Sequence, residues 1–146
     1  MADVKDPAIA EAYEKVRSDK DDETWALFDY EDEKSNKLKL TETGKGDIAE
    51  LASKLVNARA SYAFIRVKYS NDEHSTREKF VFVIWIGPEV KVMRRARVSV
   101  HAADVKSVIR SFAMEVKASS TDELKEDELV NQLRRLGANY DRSKFD

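Results

Sequence analysis

Cysteine is absent from this chain of 146 residues, and its absence removes disulfides, thiol catalysis and thiolate metal sites together. Histidine is scarce: His74 and His101 are the only two, so a transition-metal site would have to draw most of its ligands from carboxylates, and none is expected. No apolar run approaches the length that spans a bilayer, and the opening MADVKDPAIAEAYEKV has no apolar leader core. A soluble protein of the cytoplasm is expected. Catalytic signatures are missing as well. There is no Gly-x-Ser-x-Gly elbow and no metal-binding histidine pair, and Gly44-Lys45-Gly46 lacks the spaced glycine and following hydroxyl residue of a phosphate loop. Carboxylates stand in runs or beside lysines, the pattern of a solvated face. Neither enzymatic activity nor a cofactor is expected.

What is present suits one globular domain. Apolar residues make up 42% of the chain and charged residues 37%, enough for a core under a heavily solvated surface. The net charge of −2 is unevenly spread: Arg77 to Lys117 holds nine cations against four anions, a net +5, leaving −7 elsewhere. Such a chain repels nucleic acid over much of its surface and suits an acidic protein partner met by one face. The most informative stretch lies at the head of that basic segment. Phe80 to Ile86 is an unbroken apolar run, the composition of a strand covered on both faces. Lys79 stands at its entrance; beyond Gly87-Pro88 follow Lys91, Arg94, Arg95 and Arg97.

Local patterns predict an order α, β, β, α, β, β, α, β, α. Asp6 and Pro7 start a first helix, with Ile9, Tyr13 and Val16 on its inner stripe. Strands follow at Thr24 to Tyr30 and Lys37 to Thr43, then a short helix over Asp47 to Lys54. Tyr62 to Tyr69 and Lys79 to Ile86 pair antiparallel across a polar loop, Ser70 to Thr76, that contains His74. Val90 to Val100 is at least partly helical, with Val92 or Met93 and Ala96 inward and Arg94, Arg95 and Arg97 mostly outward; three arginines in four residues cannot all point one way, so one of them packs or pairs internally. A separate amphipathic helix is expected over Asp104 to Phe112, leaving His101 on the surface before it. Met114 to Ser119 is a last strand. Thr121 caps a final helix that buries Leu124, Leu129, Leu133 and Leu136 and stops at Gly137. The expected fold is α+β: a domain over residues 1–137, with a central five- to six-stranded mixed sheet flanked by helices on both faces, and a polar tail over 138–146.

Several segments together resemble the coactosins, small members of the actin-depolymerising-factor homology (cofilin-like) family. They are Arg77-Glu78-Lys79-Phe80 through Trp85-Ile86-Gly87 with Glu89-Val90, then Arg95-Ala96-Arg97, Val105-Lys106-Ser107-Val108 and the ending Gly137-Ala138-Asn139-Tyr140-Asp141. Ala12-Tyr13, Val16-Arg17, Trp25 and Phe28-Asp29-Tyr30 fit as well. The resemblance implies a single such domain that binds the side of actin filaments, favours filaments over monomers, severs little and interferes with barbed-end capping. Lys79 matches the family's key filament-contacting lysine, with Arg77 beside it. Arg94, Arg95 and Arg97, with Lys106 and Arg110, match the basic segment of the long helix. Lys125, Glu126, Arg134 and Arg135 lie where related domains make a second filament contact. The regulatory serine of cofilins has no counterpart in Met1-Ala2-Asp3-Val4, and arginines replace the lysine-rich pattern at the long helix.

Plainer roles stand beside these. A lysine at a strand entrance also discourages edge-to-edge sheet association, and an arginine on a helix is often a solvated surface residue. Arginine forks recognise phosphate as well as carboxylate, so phosphoinositide headgroups on an anionic membrane are the alternative partner for the same cluster. A monomer acting at the cytoskeleton is the expectation.

Overall fold

The computed structural model describes residues 2–18, 20–70 and 76–145. Helix α1 (Pro7–Arg17) begins where Asp6 accepts a hydrogen bond from the Ala8 amide at 3.0 Å, an N-cap that satisfies one of the helix's orphan donors. Strands β1 (Trp25–Tyr30) and β2 (Leu38–Gly44) pair antiparallel, and α2 (Ile48–Ser53) is capped by Asp47. Strands β3 (Ala60–Ser70) and β4 (Thr76–Ile86) form the long antiparallel hairpin. Helix α3 (Val92–Lys106) carries the chain back so that β5 (Met114–Ala118) runs parallel to β4, the connection that parallel strands require. A 3-10 turn (Thr121–Leu124) leads into α4 (Glu126–Phe145).

The five strands lie in the order β2-β1-β3-β4-β5, a mixed sheet with helices on both faces, as expected. Alternation sorts its side chains into two cores. Phe28, Tyr62, Phe64, Phe82 and Ile84 meet α1 and α3 on one face, whereas Trp25, Ile65, Val81, Val83 and Trp85 meet α2 and α4 on the other. Because both faces are covered, the central strands read as continuous apolar runs rather than alternating ones. At the exit of β4 the backbone passes so close to the α2–β3 loop that a Cβ on Gly87 would stand 2.0 Å from the Asn57 carbonyl oxygen. Glycine there is a packing requirement.

Three expectations need correction. The basic segment and the amphipathic segment are not two helices: α3 is continuous from Val92 to Lys106, and residues 107–112 turn back toward β5. Ile109 is fully buried and Val108 and Phe112 pack against the core, yet they do so from non-helical backbone. The chain must reverse here, since the Ala113 amide already bonds the Phe80 carbonyl at 2.8 Å, and that tertiary demand outweighs helical periodicity. Ser120, not Thr121, supplies the cap, for the 3-10 turn. Helix α4 then starts at Glu126 and runs through Gly137, with Leu136 45% exposed. A glycine stops a helix by turning left-handed, and no glycine among the described residues has positive φ. The expected loop around His74 lies outside the described residues.

His101 is the third correction. It sits inside α3, 3% exposed, with Nδ1 2.8 Å from the Tyr30 hydroxyl, which is itself 3.1 Å from the Tyr62 hydroxyl. Tyr62 donates to the Val98 carbonyl at 2.7 Å. Each hydroxyl has one proton, so the chain of bonds is complete when His101 Nδ1–H donates to Tyr30, Tyr30 to Tyr62, and Tyr62 to the carbonyl. Burial lowers the His101 pKa, helped by Arg94 and Arg97 and partly opposed by Asp104. A histidine kept neutral by folding binds fewer protons than its unfolded counterpart below pH ~6.5, so stability must fall as pH drops. Urea unfolding between pH 7 and pH 5 should show this loss, and His101→Phe should flatten it. An equal slope in wild type and variant would place the proton uptake elsewhere.

Candidate functional site

Some of the candidate site residues gather on two surfaces, built on opposite faces of the sheet. The first is the projecting end of the β3–β4 hairpin. Strand β1 pairs with β3 only as far as Trp25↔Ile65, and β5 joins β4 only from Val81↔Met114. Beyond those points residues 66–70 and 76–80 form a two-stranded arm. Arg77 and Lys79 alternate with Glu78 along β4 and therefore point to the α4 face, opposite Tyr69 and Val67 of β3. Tyr69 and Val67 are buried, Lys79 is half-buried and Arg77 is exposed. From α4, Arg134 reaches the same spot: its guanidinium stands 5.8 Å from the Tyr69 ring centroid and donates to the Ser70 carbonyl at 2.6 Å. Such a cation held over an aromatic face keeps its charge at the surface. The fold thus gathers Arg77, Lys79 and Arg134 around one tyrosine. At Lys79 no strand lies on the outer side of β4, so the edge-protecting role is geometrically available to it as well.

The second surface is the outer side of α3. Arg94 is the inward arginine. Its guanidinium stacks 3.9 Å above the Tyr30 ring and donates to the carbonyls of Asp32, Glu33 and Ser35, at 3.2, 2.5 and 2.9 Å. It fastens the β1–β2 loop and is half-buried. Arg95 and Arg97 are exposed, Arg95 making only 3.4 Å approaches to the Pro88 and Val90 carbonyls. Between them lies something the sequence reading missed: Val92, Met93 and Val100 are 81%, 69% and 70% exposed. Met93, Arg97 and Val100, spaced i, i+4, i+7, share one helix face. Neither Val92 nor Met93 turns inward, and Ala96 is exposed too, because Val98, His101, Ala102 and Val105 already occupy the buried stripe. Tracing α3 as one helix through Lys106 would have exposed this apolar stripe.

The remaining candidates are dispersed. Lys106 is paired with Glu115 of β5, and Arg110 lies past the end of α3 in the turn to β5, exposed. Lys125 lies just before α4 and Glu126 begins it, about 12 Å along the helix from Arg134 at 1.5 Å per residue. Lys125 is 4.0 Å from Asp122. Arg135 is exposed on α4. Among the described residues no group of histidine, aspartate or glutamate side chains could hold a metal ion, and no helix is long and apolar enough to cross a membrane.

A single mixed sheet of this order, with paired helices on each face, defines an actin-depolymerising-factor homology domain. The solved coactosin from Entamoeba histolytica superposes with a TM-score of 0.84 at 32% identity, covering 94% of this chain and 97% of that one. Mouse coactosin gives 0.75 at 29% identity, covering 97% of each. Coactosin of Dictyostelium discoideum is 42% identical over 99% of this chain and 98% of its own length. The family model described as cofilin/tropomyosin-type actin-binding protein matches residues 1–134. The chain belongs to that family, whose members act by binding rather than catalysis.

The three arginines of α3 should separate cleanly on mutation. Arg94→Ala leaves three carbonyls without their charged donor and should cost about 1.5–3 kcal/mol of stability, whereas Arg95→Ala and Arg97→Ala should stay within about 0.5 kcal/mol. Urea unfolding midpoints measure this. Equal effects at all three positions would remove the distinction between a fastening residue and two surface residues.

Proposed function

We propose that this protein binds the side of actin filaments, as a monomer, in the cytoplasm at the cytoskeleton, and that it has little affinity for monomeric actin. The observation that carries the proposal is the gathering of Arg77 and Lys79 of the hairpin arm and Arg134 of α4 around Tyr69. Fixed cations offer an acidic protein surface both steering and charge-assisted hydrogen bonds. The α3 surface supplies a different chemistry: exposed Val92, Met93 and Val100 with Arg95 and Arg97 among them, an apolar centre with a cationic rim as in other protein interfaces. The two surfaces back onto opposite faces of one sheet, so one flat partner cannot cover both. A polymer presents neighbouring subunits and can engage both, which favours the filament over the monomer. Mouse coactosin is described as an actin filament binding protein. Weak severing and interference with barbed-end capping belong to the same proposal.

The phosphoinositide alternative draws on Arg95 and Arg97, the two arginines that α3 leaves exposed. Flotation with anionic and neutral liposomes in the absence of actin separates the two readings.

Co-sedimentation with actin filaments is the direct test. Wild type should pellet at low salt and less so as salt rises, because screening weakens exposed charge contacts. Lys79→Ala should cost about 2 kcal/mol of binding, roughly a thirtyfold rise in Kd. Arg77→Ala and Arg134→Ala should weaken binding in the same direction. Failure of wild type to pellet at low salt refutes filament binding, and full binding by the triple variant Arg77→Ala/Lys79→Ala/Arg134→Ala refutes the arm as its site.

A further inference from the structure

We infer that Arg66, which makes no part of either surface, is the positioning residue that holds the hairpin arm in its binding geometry; the inference rests on the arm being the filament contact. A two-stranded ribbon is marginal on its own and twists freely, and among the described residues the arm of residues 66–70 and 76–80 has no third strand on either side. Something else must fix it. On the α4 face Val67 and Tyr69 pack under Arg134. On the other face, among the described residues, Phe80 stacks on Phe64 with ring centroids 5.3 Å apart, and the tie from the arm to α1 is Arg66.

The Arg66 side chain is nearly buried, at 6% exposure. Its Nη2 donates to the carbonyl of Val16, in the last turn of α1, and to that of Ser18 at 2.6 Å, just past the helix end. These are the acceptors that a helix leaves without partners, at the negative end of its dipole. The Arg66 backbone amide bonds the Thr24 carbonyl at 2.8 Å, the last rung toward β1. Arg66 Nε faces Glu78 of β4 at 3.6 Å, and the second Glu78 oxygen lies 3.7 Å from Lys68 Nζ. Glu78 stands between Arg77 and Lys79 in sequence and points the opposite way, by strand alternation. Fixing Glu78 against Arg66 therefore fixes the pleat that turns its two neighbours toward Tyr69. One guanidinium joins three pieces: the carboxyl end of α1, strand β3 and the strand that bears Lys79. A lysine has no second nitrogen to face Glu78 while the first bonds the carbonyls of Val16 and Ser18.

The test combines native-state hydrogen exchange with filament co-sedimentation on Arg66→Met, which keeps the bulk of the side chain without its donors. Exchange at the amides of residues 67–69 and 77–80 should accelerate tenfold or more, while residues 81–85 of β4 keep their protection. Filament affinity should fall at least fivefold. In an Arg77→Ala/Lys79→Ala background the same substitution should cost less than twofold, because a residue acting through those cations has nothing left to position. Unchanged arm exchange overturns the inference, and so does an equal affinity loss in both backgrounds. Glu78→Gln, half-exposed and safer for folding, should move both readouts in the same direction by a smaller factor, and must do so if Arg66→Met fails to fold. Absence of filament binding by wild type refutes the filament proposal instead, while the exchange measurement still decides whether Arg66 holds the arm.

Discussion

The unbroken ladder between β3 and β4, from Ala60↔Ile86 to Ser70↔Thr76, is the constraint on which the rest of the molecule depends. Over its inner half the two strands are central, and their alternating side chains seed both cores: Tyr62, Phe64, Phe82 and Ile84 on one face, Ala63, Ile65, Val81 and Val83 on the other. Over its outer half the same two strands outrun their neighbours and become the arm. One register therefore decides both where apolar side chains are buried and where Arg77 and Lys79 emerge. A one-residue slip would exchange the two faces along the whole hairpin, burying Lys79 toward α1 and turning Glu78 toward Arg134. Stability and the placement of those two cations are set by one set of backbone bonds.

Helix α3 divides its arginines by a related logic. Its inner stripe is filled by Val98, Ala102 and Val105, with His101 joined to the buried hydroxyls of Tyr30 and Tyr62. Arg94 lies close enough to that stripe to reach Tyr30 and close three carbonyls of the β1–β2 loop. A guanidinium used this way is a structural part whose charge is spent on the protein's own backbone. Arg95 and Arg97, one and three residues further on, have rotated toward solvent. Helical geometry alone turns a run of like residues into one fastener and two surface groups.

Much of this was legible in the residues. The order of elements along the chain, the antiparallel hairpin, the Asp6 cap and the two-sided burial of Phe80 to Ile86 all follow from local pattern, and so does the expectation that one of three close arginines packs or pairs internally. What escaped depends on distance along the chain. Nothing near His101 in sequence signals the hydroxyls of Tyr30 and Tyr62, and nothing near Arg66 signals the end of α1. The boundaries of α3 were misplaced because Val105, Val108, Ile109 and Phe112 keep a helical rhythm while the backbone is already turning to meet Phe80. Buried spacing there reports the shape of the core, not the conformation of the chain. The exposed Val92, Met93 and Val100 were hidden by the same error, since a helix cut into two pieces has no single outer face on which to see them.

The dipolar charge of the chain gains a meaning from this arrangement. The segment from Arg77 to Lys117 carries +5 and the remainder −7, yet its cations do not act as one patch. Arg94 is fastened to a loop and Lys106 to Glu115. Lys117 donates to Ser99 at 3.1 Å, and Arg77 and Lys79 lie on the far side of the sheet from Arg95 and Arg97. Long-range attraction depends on the sum, because at a distance the separate charges blur. Contact depends on the few that remain available, because short-range hydrogen bonds require geometry. Charge count along the sequence therefore speaks to long-range attraction of an acidic partner, and the fold decides which cations remain available for contact.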